Sequence, residues 1–295
     1  MQHEREAGEP SQVRPSTANL VAAVQLLSEE DLRIQRRVRA QLLRWSVEAM
    51  PTLRAAAESV DPVVRTRARS LLRSIEVREE LVEFAHMRLD RTNRRHAGPL
   101  LQGAVCLTRI VRPFSPDAEQ LQQALHGEAM VLRRRCAGRS LPTSARLLSE
   151  HMAERLGFYG GEADSRDPRH VLFDGVVDGR CGIPVTLSLA YLMVARWAGL
   201  QASGVVMPDH YLVRLHGRRP LLIDPFHGGR VVTRNDCVRY LKAGGHDRAS
   251  SHLVDQTDRQ VLASYLRAVR GATAWNIHLD ARQPIDEALA QLDAE

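Results

Sequence analysis

The chain has 295 residues, 44% of them hydrophobic, and a formal net charge of +6. That is the composition of a soluble globular protein with room for two domains. No apolar run is long enough to cross a bilayer, and the opening MQHEREAGEP lacks the apolar core of a signal peptide. The four cysteines, at 106, 136, 181 and 237, are widely spaced with no CxxC pair. This argues against a disulfide framework or a zinc site and points to a reducing cytoplasm.

Of the 41 basic residues only Lys242 is a lysine, a skew that reads as genome composition rather than as selection for a ligand. Residues 1–150 carry 24 basic and 18 acidic side chains, and residues 151–295 carry 17 of each. Any pull on an anionic partner therefore belongs to the N-terminal half.

Residues 1–17 read as a polar tail. From Ala18 to about Met87, Leu, Val and Ala recur at three- and four-residue spacing, the pattern of amphipathic helices. Ser28-Glu29-Glu30-Asp31 has the form of a helix cap, and Met50-Pro51 ends one helix and opens the next. The segment DPVVRTRARSLL (61–72) resembles the second helix of a HEAT-type repeat, with Val64, Ala68 and Leu71 facing inward. At most two such units fit, so the region 18–94 reads as a small helical bundle rather than a solenoid. RIQRRVRAQLLR and VLRRRCAGR are rich enough in arginine to contact phosphates. With no aromatic residues interleaved they read as solvated helix faces.

Helices continue beyond residue 95. GAVCLTRIVRPF is a buried helix running into a proline-bounded turn, and SPDAEQLQQALHGEAMVLRRR opens on a Ser-Pro-Asp cap. ARLLSEHMAERLGFYGG is a helix expected to stop at Gly160-Gly161, and SRDPRH reads as a turn. After residue 182 the pattern becomes helix, strand, turn, strand. In RCGIPVTLSLAYLMVARWAGL (180–200), Gly182 permits a tight turn, Pro184 suits the first helical position and Gly199 supplies the C-cap. Leu187, Tyr191, Val194 and Trp197-Ala198 form a stripe at helical spacing. SGVVMPDHYLVRLHG gives a strand interrupted at Pro208, and LLID a second strand ending in a Pro-Gly-rich turn.

Cys181 or the helix start, then His210, then Asp224 is the chain order of a Cys-His-Asp triad on a papain-like or transglutaminase-like fold. There a helix N-terminus favours a thiolate, and the carboxylate of an adjacent strand orients the imidazole. The plainer alternative is a His–Asp pair that fixes the packing of two strands. His216 and His227 would add nitrogen ligands to a His-Asp-His metal site, but no ligand pair has the tight spacing of a metal motif. Neither a metal nor a cofactor is expected.

Three motifs in register, GIPVTLSLAYL, PDHYLVR and IDPFHGG, carry a resemblance to the transglutaminase-like domain of the SirB-one family of bacterial proteins, over roughly residues 95–235. The resemblance implies an α+β fold: a mostly helical N-terminal part, then a transglutaminase-like (papain-like) helix with a small antiparallel sheet. With the pattern read above, the chain divides into a tail (1–17), a HEAT-like helical region (18–94), the transglutaminase-like domain (95–249) and C-terminal helices (250–295). The last of these looks like one degenerate tetratricopeptide-like unit. His210 and Asp224 map onto the His and Asp of the triad, whereas the nucleophile's position falls on Pro184, in the branch's own Gly-x-Pro. The family's Pro-Gly-His-Phe is Pro208-Asp209-His210-Tyr211 here. The implied cleft takes in Gly182, Pro184, Thr186, Pro208, Asp209, Tyr211, Pro225, Phe226 and Arg180, with Arg169 on its flank.

Cys181 lies three residues before Pro184, a displacement of ~10 Å in an extended turn, while nucleophile and base need to be about 3 Å apart. Thr186 and Ser188 lie within the helix, where hydroxyls bond back to their own backbone. The leading expectation is thus a non-catalytic module that binds a peptide or protein in the old cleft. The alternatives are a thiol amidase or acyl transferase using Cys181-His210-Asp224, and a basic helical scaffold that contacts nucleic acid. No membrane partner is expected.

Overall fold

A computed structural model describes residues 14–87, 89, 94–113, 115–161, 163–246, 253–276 and 282–293. Most of the expected tail lies outside these residues. The chain forms two compact units, Met1–Glu79 and Glu80–Glu295. The division falls inside a helix, N-terminal to the boundary at 94/95 expected from sequence.

In the first unit, α1 (Thr17–Gln25) is capped by the Ser16 hydroxyl, which accepts from the Asn19 N–H at 3.2 Å. The cap of α2 (Leu32–Trp45) is Asp31, accepting from the Arg33 N–H at 2.7 Å. Pro51 sits in the first turn of α3 (Met50–Ala56), and Asp61 accepts from the Val63 N–H at 2.8 Å to open α4 (Pro62–His86). Leu42, Leu53, Ala68, Leu71 and Ile75 are fully buried in this unit's core, with Val64 packed against them. Several arginines of the basic region are committed inside the unit. Arg67 donates to the carbonyls of Leu27 and Glu29, at 2.5 and 2.8 Å, and Arg39 to the hydroxyl of Ser74 at 3.2 Å.

The second unit opens with α5 (Gly98–Val111), buried along almost its whole length. A capping box, in which Asp117 and Gln120 bond reciprocally, starts α6 (Ala118–Cys136). The next helix, α7 (Leu141–Ser149), widens into a π-turn over Glu150–Arg155. It ends before Gly157, which takes a left-handed conformation (φ 76°), not at Gly160-Gly161 as expected. The stretch read as a turn is one at Ser165-Arg166, after which Asp167 caps a short helix, α8 (Pro168–Val171), followed by α9 (Phe173–Gly179).

At the centre lies α10 (Pro184–Trp197), in which every residue from Val185 to Arg196 is buried. The expected stripe is therefore a full cylinder, the state of a helix covered on all sides. Its neighbours are α6, α9 and a five-stranded antiparallel sheet: β1 (Ala202–Met207), β2 (His210–Leu215), β3 (Leu221–Asp224), β4 (Arg230–Val232) and β5 (Asp255–Gln256). The strand order is β4-β3-β2-β1-β5. Helix α11 (Arg234–Ala243) follows β4, and α12 (Asp258–Asn276) and α13 (Arg282–Asp293) end the described chain. Far from being an appended repeat, α12 belongs to the core. The fully buried Tyr265 hydroxyl bonds Thr108 Oγ1 at 2.7 Å and accepts from the Phe173 N–H at 3.0 Å. The α+β class expected from the sequence is the class observed. Among the described residues no helix is long and apolar enough to cross a membrane.

Candidate functional site

Two strand ends and a tight turn build the site. His210 begins β2 and Asp224 ends β3, and a short 3-10 turn, Pro225–His227, brings a second imidazole back to the same carboxylate. His210 Nε2 lies 3.0 Å from Asp224 Oδ1, and His227 Nδ1 lies 2.8 Å from Asp224 Oδ2. The His227 N–H donates to Oδ1 at 3.3 Å, and Arg230 Nε stands 3.6 Å from Oδ2. The Asp224 side chain is only 3% exposed. Burial pushes its carboxyl upward, but the hydrogen bonds and charge of His210, then of His227, outweigh burial and hold it below its ordinary value. A carboxylate ionised in the fold is what orients an imidazole or binds a cation. His210 Nδ1 has no hydrogen-bond partner among the described residues.

The pair opens into a cleft of about 420 Å³. Ile183, Met207, Leu212, Phe226, Val232 and Tyr240 supply its apolar surface, and Asp209, Arg230 and Asp236 its charge. Phe226 and Tyr240 both pack against the His210 ring, with centroids 6.0 and 6.2 Å away. The position of Phe226 depends on Gly160, where a Cβ would lie 2.2 Å from the phenyl ring.

The sequence-predicted residues are only partly brought together at the cleft. Pro184, Asp209, His210, Asp224 and Phe226 line the cleft. Tyr211 and Pro225 are buried and do not line it, and the Pro208 carbonyl accepts from the Tyr240 hydroxyl at 3.5 Å. Gly182 lies where a Cβ would meet Val176 at 2.8 Å. Arg180 is placed elsewhere. It caps α9 with φ 60°, lies 4.8 Å over the Phe158 ring and borders a separate pocket with Arg112 and Asp174. Arg169 is engaged by Asp167 at 2.6 Å. His216 pairs with Ser203 Oγ at 2.7 Å and is not part of the His210 group.

The resemblance assigns the nucleophile's position to Pro184. Ile183 is the N-cap of α10 and Pro184 its first residue, and both face the cleft that holds His210 and Asp224. Cys181 is 5% exposed and forms an isolated parallel bridge with Tyr159. The helical hydroxyls are tied to other elements rather than to their own helix: Thr186 donates to the Val171 carbonyl at 2.8 Å and Ser188 to that of Tyr211 at 3.3 Å. These bonds fasten α10 to α8 and β2. The thiol that does line the cleft is one the motifs missed, Cys237 on α11. Burial, reinforced by the charge of Asp236, pushes it above its ordinary value, so it is a poor thiolate. The signal for α11 was present in Thr233 and Asp236, which form its capping box, with Gly244 at its end.

The β1–β2 hairpin turns through Pro208-Asp209, with Met207 paired to His210. Asp209 has φ 55°, a left-handed conformation that costs an L-residue about 1–2 kcal/mol. Glycine would relieve it but forfeits about 0.5–1 kcal/mol of chain entropy. Asp209→Gly is therefore expected to stabilise the protein by about 0.5–1 kcal/mol, measured by urea denaturation. A loss of stability would show that the Asp209 carboxylate contributes more than its backbone costs.

The sequence is similar to several known proteins. A protein of Xylella fastidiosa (strain 9a5c) described as a UPF0162 protein is 28% identical over 184 residues, 60% of this chain and 65% of the relative. A UPF0162 protein of Vibrio cholerae is 26% identical over 148 residues, 48% of this chain and 53% of the relative. F-box only protein 21 of Mus musculus is 31% identical over 93 residues, 28% of this chain and 15% of that protein. The chain thus spans less than two thirds of the length of these curated relatives. No solved structure matches it. The sequence profile of the transglutaminase-like superfamily matches residues 118–267, from the start of α6 into α12, and the chain belongs to that superfamily.

Proposed function

We propose that this chain is a transglutaminase-like module of the SirB-one type that has given up covalent catalysis and uses its cleft to bind a peptide segment of a partner protein. The observation that carries this reading is Pro184, which lines the cleft beside His210 and Asp224 at the first turn of α10. The site keeps a base and the carboxylate that orients it, and presents to them a residue with no attacking atom. The apolar rim of Phe226, Tyr240 and Val232, with Asp209, Arg230 and Asp236 among it, suits an extended peptide that places a side chain in the cleft. The cytoplasmic location expected from cysteine usage is part of this proposal.

The test is an array of immobilised peptides, scored for retention and, by mass spectrometry, for chemical change. Retained peptides keep their mass, and Phe226→Ala, whose fold is checked by circular dichroism, loses them. Alkylation of Cys181 by iodoacetamide is slow near pH 6 and indifferent to His210→Ala. Loss of ammonia or an amine from a peptide, with an acyl adduct on Cys181, would overturn the proposal in favour of the thiol enzyme.

A further inference from the structure

We propose that His210, Asp224 and His227 form a binding site for one divalent transition-metal ion in the cleft. The site stands whether or not the cleft also takes a peptide. Each residue offers one ligand atom, and the three atoms all lie within 4.8 Å of one another. The closest separations are 3.0 Å for His210 Nε2 to Asp224 Oδ1 and 2.8 Å for His227 Nδ1 to Asp224 Oδ2. Two donors held at about 2.1 Å from a common ion stand about 3.0 Å apart at right angles and about 3.4 Å apart at the tetrahedral angle. Both separations are hydrogen-bond distances to different oxygens of one carboxylate, so shifts of a few tenths of an ångström bring the three side chains to ligand spacing.

A base-and-orienter pair needs one imidazole on its carboxylate. Here both oxygens of Asp224 are faced by a ring nitrogen, and His227 is the surplus. Two imidazoles and one carboxylate are the donor set that suits zinc, cobalt, nickel and ferrous iron rather than magnesium or calcium. The approach is open, because the His227 side chain is 50% exposed and all three residues line the cleft. The remaining coordination positions would face the cleft, within reach of a carbonyl or carboxylate of whatever occupies it. The hydrogen-bonded arrangement puts a ring proton between each imidazole and Asp224. Ion binding moves that proton to His210 Nδ1 and His227 Nε2, so two neutral rings lose none. Arg230 is the opposing charge, 3.6 Å from Oδ2, and its 63% exposed side chain is free to swing outward.

The sequence offers a His-Asp-His set without a metal motif's spacing. His227 follows Asp224 by three residues through the 3-10 turn, but His210 comes from the neighbouring strand, so no compact ligand spacing marks the sequence.

The experiment is titration of the chelator-treated full chain with Co²⁺, followed by its visible absorption bands, with equilibrium dialysis against Zn²⁺ in parallel. Wild type is expected to bind a single equivalent. His227→Ala, a change at a half-exposed position that leaves the His210–Asp224 pair in place, is expected to weaken binding by about a hundredfold or more, since even outer partners of metal ligands are worth about 10–100-fold. Circular dichroism checks that the variant is folded. Absence of saturable binding in wild type, or equal binding by folded His227→Ala, overturns the proposal. Peptide retention in the presence of chelator reports separately on the binding cleft.

Discussion

Asp258→Ala is expected to lower the unfolding free energy of the unit formed by residues 80–295 by about 3–5 kcal/mol, a large share of the 5–15 kcal/mol of a typical domain. Arg196, in the last turn of α10, and Asp258, at the start of α12, have side chains that are 0% exposed, with Nη2 and Oδ1 2.7 Å apart. The guanidinium also donates from Nη1 to Asp258 Oδ2 at 3.0 Å, from Nε to the Ala202 carbonyl at 3.1 Å and from Nη1 to the His96 carbonyl at 3.3 Å. Removing the carboxylate leaves a buried cation with two neutral acceptors, the Ala202 and His96 carbonyls, and the penalty is that of an uncompensated buried charge rather than of a lost contact. Arg196→Met should cost about as much, for the mirror-image reason. The pair Arg196→Met with Asp258→Leu is expected to recover most of the loss, because a buried ion pair is often no better than well-packed apolar groups of its size. Urea denaturation, fitted with separate transitions for the two units, provides the measurement. A single-variant cost below about 1 kcal/mol would mean that the charge reaches solvent by local opening.

His210 and Asp224 were legible in the sequence because each sits at a strand end marked by a turn, PDHYLVR and LLIDPF, and because their residue types suit an imidazole–carboxylate pair. The helix 184–197 was legible from Pro184 and Gly199, but its surroundings were not. Thr186, Ser188 and Arg196 lie outside the expected apolar stripe, and the two hydroxyls were expected to bond back to their own helix. Each is instead buried with a partner that only the folded chain supplies: Val171, Tyr211 and Asp258. Periodicity cannot separate a polar residue facing water from one facing a distant carbonyl. The short helices α8 and α9 were lost for a different reason. At four and seven residues, bounded by Pro168 and Gly179, they are too short to show a period. Arg180 was expected in the cleft that the resemblance implies. Its left-handed backbone turns it towards Phe158 and a separate pocket instead. The far wall of the cleft, Cys237 and Tyr240, comes from a helix that carries none of the three motifs, so nothing local to those motifs pointed to it.

Pro184→Cys is expected to return a reactive thiol to the site. Proline at the first position of a helix forgoes an N–H that would have no intrahelical partner, so the exchange costs little and keeps the helix start where it is. A thiol there meets the positive end of the α10 dipole and shares the cleft with His210, whose Nε2 is held by Asp224 at 3.0 Å. Such surroundings lower a cysteine into the range of about 3.5–7.5. With a value near 6, the thiolate fraction at pH 6 is about 150 times that of an unperturbed thiol, and the lower nucleophilicity of the more stable anion takes back about a factor of ten. Alkylation by iodoacetamide at pH 6, in the presence of chelator, is therefore expected to run about tenfold faster than for an unperturbed thiol. Peptide mapping separates the introduced site from Cys181 and Cys237, both of which are buried. The same substitution in a His210→Ala background should fall back to the unperturbed rate, and Asp224→Asn should lie between the two. A fast, His210-dependent reaction means that base, carboxylate and helix start are still in register and that proline alone silences the site. An introduced thiol that alkylates at the unperturbed rate and ignores His210→Ala means that the register has drifted. The His210–Asp224 pair would then have to be explained by strand packing or by an ion, not by descent from a catalytic triad.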